Sequence, residues 1–255
     1  MELFNLTGRV ALVTGGAGLY GRQIAEALAE AGAKTFIASR GLDALEKQAE
    51  TFRRAGLDVT ALSLDQSRED SILHLLADIV DRAGGCDILV NNAVSRPMDK
   101  ETPRFEGFSR SMEVNATGIY MMTEIFGRHM AERGSGSIIN IGSIYGMVGP
   151  DFTLYEDTEM SAPADYFFHK GGMIQLTRYA AAVLGPSGVR VNCISPGGFF
   201  DNQPEAFLKR YCARTFLGRM ANEQDLKGVV VLLASDASAY LTGANIPVDG
   251  GLTAK

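Results

Sequence analysis

Seven short runs of β-branched and apolar residues alternate along this 255-residue chain with longer amphipathic stretches, and that alternation constrains the fold more than any other feature. RVALVTG (9–15), KTFIAS (34–39), DVTALSLD (58–65), CDILVNNA (86–93), GSIINIGS (136–143), VRVNCISPG (189–197) and ANIPVDG (244–250) read as strands. Helical periodicity begins at about Leu19, Leu42, Ser67, Phe105, Pro163 and Asn222. Ser67 and Asn222, each with an aspartate three residues on, carry helix-start chemistry; Gly32 and Gly56 stand where the first two helices should stop. Parallel neighbours need a crossover helix, and right-handed crossovers cover both faces of the sheet. The expected fold is therefore α/β, a doubly wound, seven-stranded parallel sheet. With 46% hydrophobic residues the chain can bury one sizeable core, so a single domain over 1–255 is expected. Two stretches without clear periodicity, 146–165 and 197–220, are expected to cover a substrate pocket.

The charge balance narrows the function classes. Thirty acidic residues against 24 basic ones give a net charge of −6, which disfavours nucleic acid and anionic lipid as partners. Cys86, Cys193 and Cys212 are far apart and form no C-x-x-C pair, which predicts buried thiols in a reducing compartment. The N-terminus lacks a signal-peptide pattern, and no apolar run approaches the ~18 residues of a membrane span. A cytoplasmic protein is expected. His74 and His129 have no metal-ligand spacing with any Cys or carboxylate, and no metal is expected.

In a doubly wound sheet, ligands settle outside the carboxyl ends of the strands where the strand order reverses. Those ends carry TGGAGLYG (14–21), Ser39 with Arg40, Asp65 with Gln66, and Asn92 with Ala93. Gly15, Gly18 and Gly21 suit a backbone that approaches a pyrophosphate, and the helix starting near Leu19 offers it unpaired N–H groups. NAD presents a 2′-hydroxyl that an acidic residue can accept, whereas NADP presents a phosphate. No carboxylate follows the second strand until Asp43, and Arg40 with Ser39 suits a phosphate; NADP is therefore preferred, with NAD possible. Tyr166 and Lys170, at i and i+4, project from one helix face. An isolated pair of this kind is usually surface decoration, but NIGS ends the preceding strand at Ser143, MEVNATG places Asn115 in the previous helix, and SPGG (195–198) ends the next strand.

With TGGAG and Gly21, Asp65, NNA at 91–93, Asn115, Ser143, Tyr166 with Lys170, SPGG and the closing YLTGANIPVDGG, the chain resembles the short-chain dehydrogenase/reductase family over essentially its whole length. The resemblance implies a Rossmann-type sheet of strand order 3-2-1-4-5-6-7 and an NAD(P)-dependent oxidoreductase acting on a secondary alcohol or ketone. It implies Tyr166 as acid/base, Lys170 assisting it and holding the nicotinamide ribose, Ser143 on the substrate oxygen, and Asn115 supporting a proton-relay water. Cofactor contacts would come from the glycine turn with Leu19 and Tyr20, from Ser39, Arg40, Asp65, Gln66, Asn92 and Ala93, and from Pro196, Gly197 and Phe199. A phenol of pKa ~10 serves as a base near neutrality only after a shift of about 3 units, ~4 kcal/mol. A lysine charge ~4 Å away supplies that at an effective dielectric of ~20, so the site must exclude most water.

Three departures stand out. Leu19 stands where the small single-domain branch of the family normally has glycine, and Gly15, Gly18 and Gly21 give the G-x-x-G-x-x-G spacing of the nucleotide-sugar-modifying branch. Val94 replaces the glycine that usually follows NNA, and Ser143 and Tyr166 are 23 positions apart, about ten more than usual. The extra segment carries Asp151, Glu156, Asp157, Glu159 and Asp165 and reads as a solvated loop rather than a substrate contact. His169 reads as a packing or surface residue. Polyols or sugar acids are the expected substrate type; a nucleotide-sugar epimerase or dehydratase and a non-catalytic cofactor sensor stay open as alternatives. Apolar residues on more than one face of 105–133 and 163–185 predict a homo-oligomer, with a tetramer implied by the resemblance.

Overall fold

A computed structural model of the chain describes residues 2–98 and 102–254. Strands β1 (Val10–Thr14), β2 (Lys34–Ser39), β3 (Val59–Ser63), β4 (Ile88–Asn91), β5 (Gly136–Ile141), β6 (Val189–Pro196) and β7 (Asn245–Val248) form one sheet in the order β3-β2-β1-β4-β5-β6-β7. Every pairing is parallel. The helices are α1 (Leu19–Glu30), α2 (Leu42–Arg54), α3 (Glu69–Ala83), α4 (Arg104–Met112), α5 (Ile119–Glu132), α6 (Ala164–Leu184), α7 (Glu205–Arg214) and α8 (Lys227–Ala234).

Both sheet faces are covered, and the two-residue strand period divides the core accordingly. Ala11 and Val13 of β1 pack with Ile24 and Leu28 of α1 and Val230 and Leu233 of α8. Val10 and Leu12 face the other way, toward Ile72 and Ile79 of α3 and Phe126 of α5. The strand order runs one way from β1 to β3 and the other way from β4 to β7, so the crevice at the switch point opens between β1 and β4. Among the described residues no helix is long and apolar enough to cross a membrane.

Four local expectations are corrected. Helix α3 starts at Glu69, because the Ser67 hydroxyl and N–H both donate to Asp65 Oδ1, at 2.7 and 3.1 Å, and close a turn there. The bonds expected at Asn222 do form, with Gln224 N–H donating to Asn222 Oδ1 and Asn222 N–H to Asp225 Oδ2, but they close a turn and α8 starts at Lys227. The predicted helix over 105–133 is divided by a π-helical segment, Glu113–Gly118. There Gly118 presses on the end of β3's connection: a Cβ on it would lie 2.4 Å from the Gln66 carbonyl oxygen. Lastly, the stretch after Pro196 contains the regular helix α7.

Candidate active site

The carboxyl ends of the central strands open on one cleft of about 600 Å³. Every cofactor position named from the sequence, from Gly15 to Phe199, lines it, as do Ser143, Tyr166 and Lys170. Gly15 has φ +66°, a left-handed conformation that favours glycine, and a Cβ on Gly21 would lie 2.1 Å from the Gly15 carbonyl oxygen. Gly18 caps α1 with no side-chain hydrogen bond. A tight, side-chain-free turn leading to an uncapped helix N-terminus fits the pyrophosphate of a dinucleotide.

Asn92 holds this turn from β4. Its amide donates to the carbonyls of Thr14 at 2.9 Å and Gly15 at 3.1 Å, while the N–H groups of Asn92 and Ala93 donate to Thr14 Oγ1 at 3.0 and 2.9 Å. Thr14 was not singled out from the sequence; a hydroxyl residue closing the strand just before the glycines is the signal that could have found it, and the structure buries it fully. The atypical pair after Gly18 divides its work. Leu19 is half exposed, whereas the Tyr20 hydroxyl donates to the Gly197 carbonyl at 2.7 Å and its ring meets Phe199 edge-on at 5.3 Å. Tyr20 thereby ties the glycine turn to the Pro–Gly turn, and burial pushes its phenol above the ordinary tyrosine range, keeping it a neutral donor.

At the other end, β5 delivers Ser143 in extended backbone, buried, with its oxygen accepting from Tyr145 N–H at 3.1 Å. Helix α6 delivers Tyr166 and Lys170 to the same cleft. The Lys170 ammonium donates to the Ile141 carbonyl at 2.5 Å and lies 5.7 Å from the Tyr166 ring centroid. Burial draws Lys170 below the usual lysine range, and the Arg96 charge adds to this.

Asn115 sits in the π-helical segment and does not line the cleft. Its Oδ1 accepts from Ser95 N–H at 2.8 Å, and its amide donates to Ser95 O at 2.7 Å and to Ser111 Oγ at 3.0 Å. Ser111 in turn donates to Asp165 Oδ2 at 2.5 Å. The side chain of Asn115 thus clamps the loop after β4 onto a buried polar chain ending on α6.

The acidic insert is not a free solvated loop. Asp165 is 2% exposed and belongs to the chain just described. Asp151 pairs with Arg214 at 2.5 Å and Asp157 with Arg210 at 2.7 Å, so the insert folds back on α7. Thr153 and Arg214 together hold the Asp151 carboxyl below its usual range. Local composition could not show this, because the partners lie more than fifty residues away. His169 packs as expected, edge-on to Tyr166 at 5.2 Å; burial pushes its pKa down to about 3, so the ring stays neutral.

Three cleft residues escaped the sequence reading. The Arg96 guanidinium stands 5.0 Å from the Tyr166 ring centroid. Tyr145 meets Tyr166 edge-on at 6.3 Å and is hydrogen-bonded, hydroxyl to hydroxyl, to Tyr155. Arg96 follows the Val94 departure and Tyr155 lies in the long Ser-to-Tyr gap, so the departures themselves were the available signal.

A family model described as enoyl-(acyl carrier protein) reductase, a short-chain dehydrogenase type, matches residues 18–253. The chain belongs to the short-chain dehydrogenase/reductase family. An uncharacterized oxidoreductase of Thermotoga maritima is 35% identical over 260 residues, covering 98% of each chain. The gluconate 5-dehydrogenase of Gluconobacter oxydans is 31% identical, covering 99% of this chain and 97% of its own. The crystal structure of a gluconate 5-dehydrogenase from Burkholderia cenocepacia, in complex with NADP and tartrate, superposes with a TM-score of 0.87 at 32% identity, over 100% of this chain and 98% of that one. This short-chain dehydrogenase/reductase is thus an NAD(P)-dependent oxidoreductase acting on CH–OH groups or the corresponding ketones. The nucleotide-sugar type of glycine spacing does not carry it out of that class.

Proposed function

We propose that this enzyme is an NADP-preferring dehydrogenase of sugar acids or related polyols, acting at a secondary alcohol or its ketone. The observation that carries the reading is the meeting of Ser143, Tyr166 and Lys170 in one cleft with the uncapped glycine turn. When bound, the nicotinamide supplies or accepts the hydride. Tyr166 passes the proton to or from the substrate oxygen, and Ser143, whose oxygen is already occupied by Tyr145 N–H, turns its own proton toward that oxygen. Lys170 places a buried positive charge beside the tyrosine and is anchored by the Ile141 carbonyl. Asn115 acts as a clamp on the loop after β4, and Asn92 fixes the cofactor turn.

The segments 146–165 and 197–220 act as one cover. Ile144, Leu154, Phe207, Tyr211 and Met220 form a small core of their own between them, which excludes water from the reacting end. The sugar-acid reading is supported by the two gluconate 5-dehydrogenases above and by the hydroxyl-rich lining. NADP preference is supported by exposed Arg40 and by Ser39 at the end of β2, where no carboxylate stands. All three cysteines are free; Cys86 and Cys193 are buried, whereas Cys212, expected to be buried, is only partly so on α7, and the free thiols fit a reducing, cytoplasmic compartment.

A panel of aldonic acids, polyols, steroids and aromatic ketones, followed at the nicotinamide absorbance with NADP(H), tests the function. Turnover of the polar substrates is expected; activity confined to bulky apolar ketones would overturn the reading. We also propose a homotetramer built on the helices over 105–133 (α4 and α5) and 163–185 (α6), which expose Phe105 (87%), Tyr120 (43%), Phe168 (64%) and Tyr179 (63%). Sedimentation at micromolar concentration should show a species well above the 27.4 kDa chain, and a monomer alone would sink the assembly.

A further inference from the structure

The two unusual stretches, the loop after NNA and the long Ser-to-Tyr gap, converge on Tyr166. Arg96 stands over its ring at 5.0 Å, and Tyr145 meets its edge at 6.3 Å. The Tyr145 ring is in turn fixed by stacking on Phe167 at 4.5 Å, and its hydroxyl is bonded to that of Tyr155. Two phenols that share one hydrogen bond use one of their two protons between them. The other proton is left to donate. Burial raises both phenols above the ordinary tyrosine range, so both stay protonated at neutral pH. The Arg96 charge acts on Tyr155, Lys170 and His169 alike, and Arg96, Tyr145, Tyr155 and Lys170 all line the cleft.

We infer that Arg96, Tyr145 and Tyr155 form an anion subsite that holds the carboxylate of a hydroxy-acid substrate beside Tyr166 and Ser143. The inference rests on the proposed sugar-acid reading and narrows it, since a neutral polyol would leave the subsite without a partner. The chemistry favours a carboxylate. A guanidinium presents a planar fork that takes two carboxylate oxygens at once, and a phenol O–H adds a third donor. Arg96 and Lys170 give this end two cations. Of the carboxylates lining the cleft, Asp165 is already bonded to Ser111, Asp65 lies at the end of β3, and Asp201 lies on the 197–220 segment. Arg96 is itself exposed, so its donors are accessible to a ligand.

The alternative role for Arg96, a second charge acting on Tyr166 alone, predicts equal losses for acidic and neutral substrates. The two are separated by D-gluconate and D-glucitol, which differ only in a carboxylate for a CH2OH. With NADP, Arg96→Met should lower kcat/KM for gluconate by about 10², mostly through KM, and so collapse the gluconate-to-glucitol ratio, whereas Tyr155→Phe should lower it by about ten-fold. A ratio unchanged within threefold in Arg96→Met would overturn the subsite. Should that variant fail to fold, Arg96→Gln, which keeps a polar side chain and loses the charge and the fork, decides by the same criterion.

Binding without turnover keeps the two proposals distinct. Gluconate titrated calorimetrically into NADP-loaded Tyr166→Phe enzyme should bind, and into Tyr166→Phe/Arg96→Met enzyme about 10² more weakly. Gluconate that binds through Arg96 but is not oxidised by the native enzyme would sustain the subsite and sink the sugar-acid reading. Glucitol turnover with no gluconate binding would sink the subsite and leave the oxidoreductase standing.

Discussion

Tyr166→Phe is expected to lower kcat by ~10² or more, at least ~2.7 kcal/mol of transition-state stabilisation, while cofactor affinity stays within a few-fold. The phenylalanine ring preserves the contacts that pack Tyr166, edge-on to Tyr145 and His169, so the neighbouring side chains have no cause to move. What is lost is the hydroxyl that stands in the cleft with Ser143 and Lys170 and is proposed to exchange a proton with the substrate oxygen. His169 cannot substitute for it. Its imidazole is buried and its pKa is pushed down to about 3, so near neutrality it is a neutral ring with no imidazolium proton to give and little basicity to take one. Lys170 is anchored to the Ile141 carbonyl behind the tyrosine ring. The check is steady-state kinetics alongside a fluorescence titration with NADPH. A phenylalanine variant that keeps more than about a hundredth of the native kcat would remove Tyr166 from the acid/base role.

Arg40→Asp is expected to reverse the cofactor preference. It should lower kcat/KM with NADPH by ~10² or more, equivalent to ~2.7 kcal/mol, and affect NADH far less. The side chain is exposed at the end of β2, lines the cleft, and makes no salt bridge with a described carboxylate. Its replacement therefore carries little folding cost. A carboxylate there repels a 2′-phosphate and accepts from a 2′-hydroxyl, so the loss should fall on NADPH and largely spare NADH. The charge of Arg40 also helps hold Asp65 below the usual carboxylate range, but hydrogen bonds from Ser67 contribute more, so the β3 end should keep its shape. Native kcat/KM values that favour NADH, or an Arg40→Asp enzyme that loses both cofactors equally, would refute NADP preference.

The sheet, its strand order and the crevice were legible in the sequence because their signals are local. A strand buried on both faces shows as a short β-branched run, a covering helix shows a 3.6-residue apolar period, and the resemblance carried by the motifs supplied the order in which they pair. Boundaries were less secure where one polar side chain had two possible partners. Ser67 bonds backward to Asp65 instead of capping α3, and Asn222 and Asp225 close a turn that precedes α8 instead of capping it. Helix α7 went unseen because its flanks carry the Pro and Gly of an irregular segment.

The site divides along the same line. Helix geometry puts Tyr166 and Lys170 on one face and the resemblance carried by the neighbouring motifs marks them as site residues, while the glycine turn follows from backbone conformations and close approaches that favour glycine, so these parts were legible in the sequence. The partners that shape the rest of the cleft were decided only by the tertiary structure. Tyr20 finds the Gly197 carbonyl 177 residues away, Ser111 finds Asp165 across 54, and Asp151 finds Arg214 across 63. Arg96 and Tyr145 likewise meet over Tyr166 from separate connections. A buried polar group must be satisfied, but nothing in its local sequence says by whom; folding selects the partner by bringing it within reach and removing the competing water.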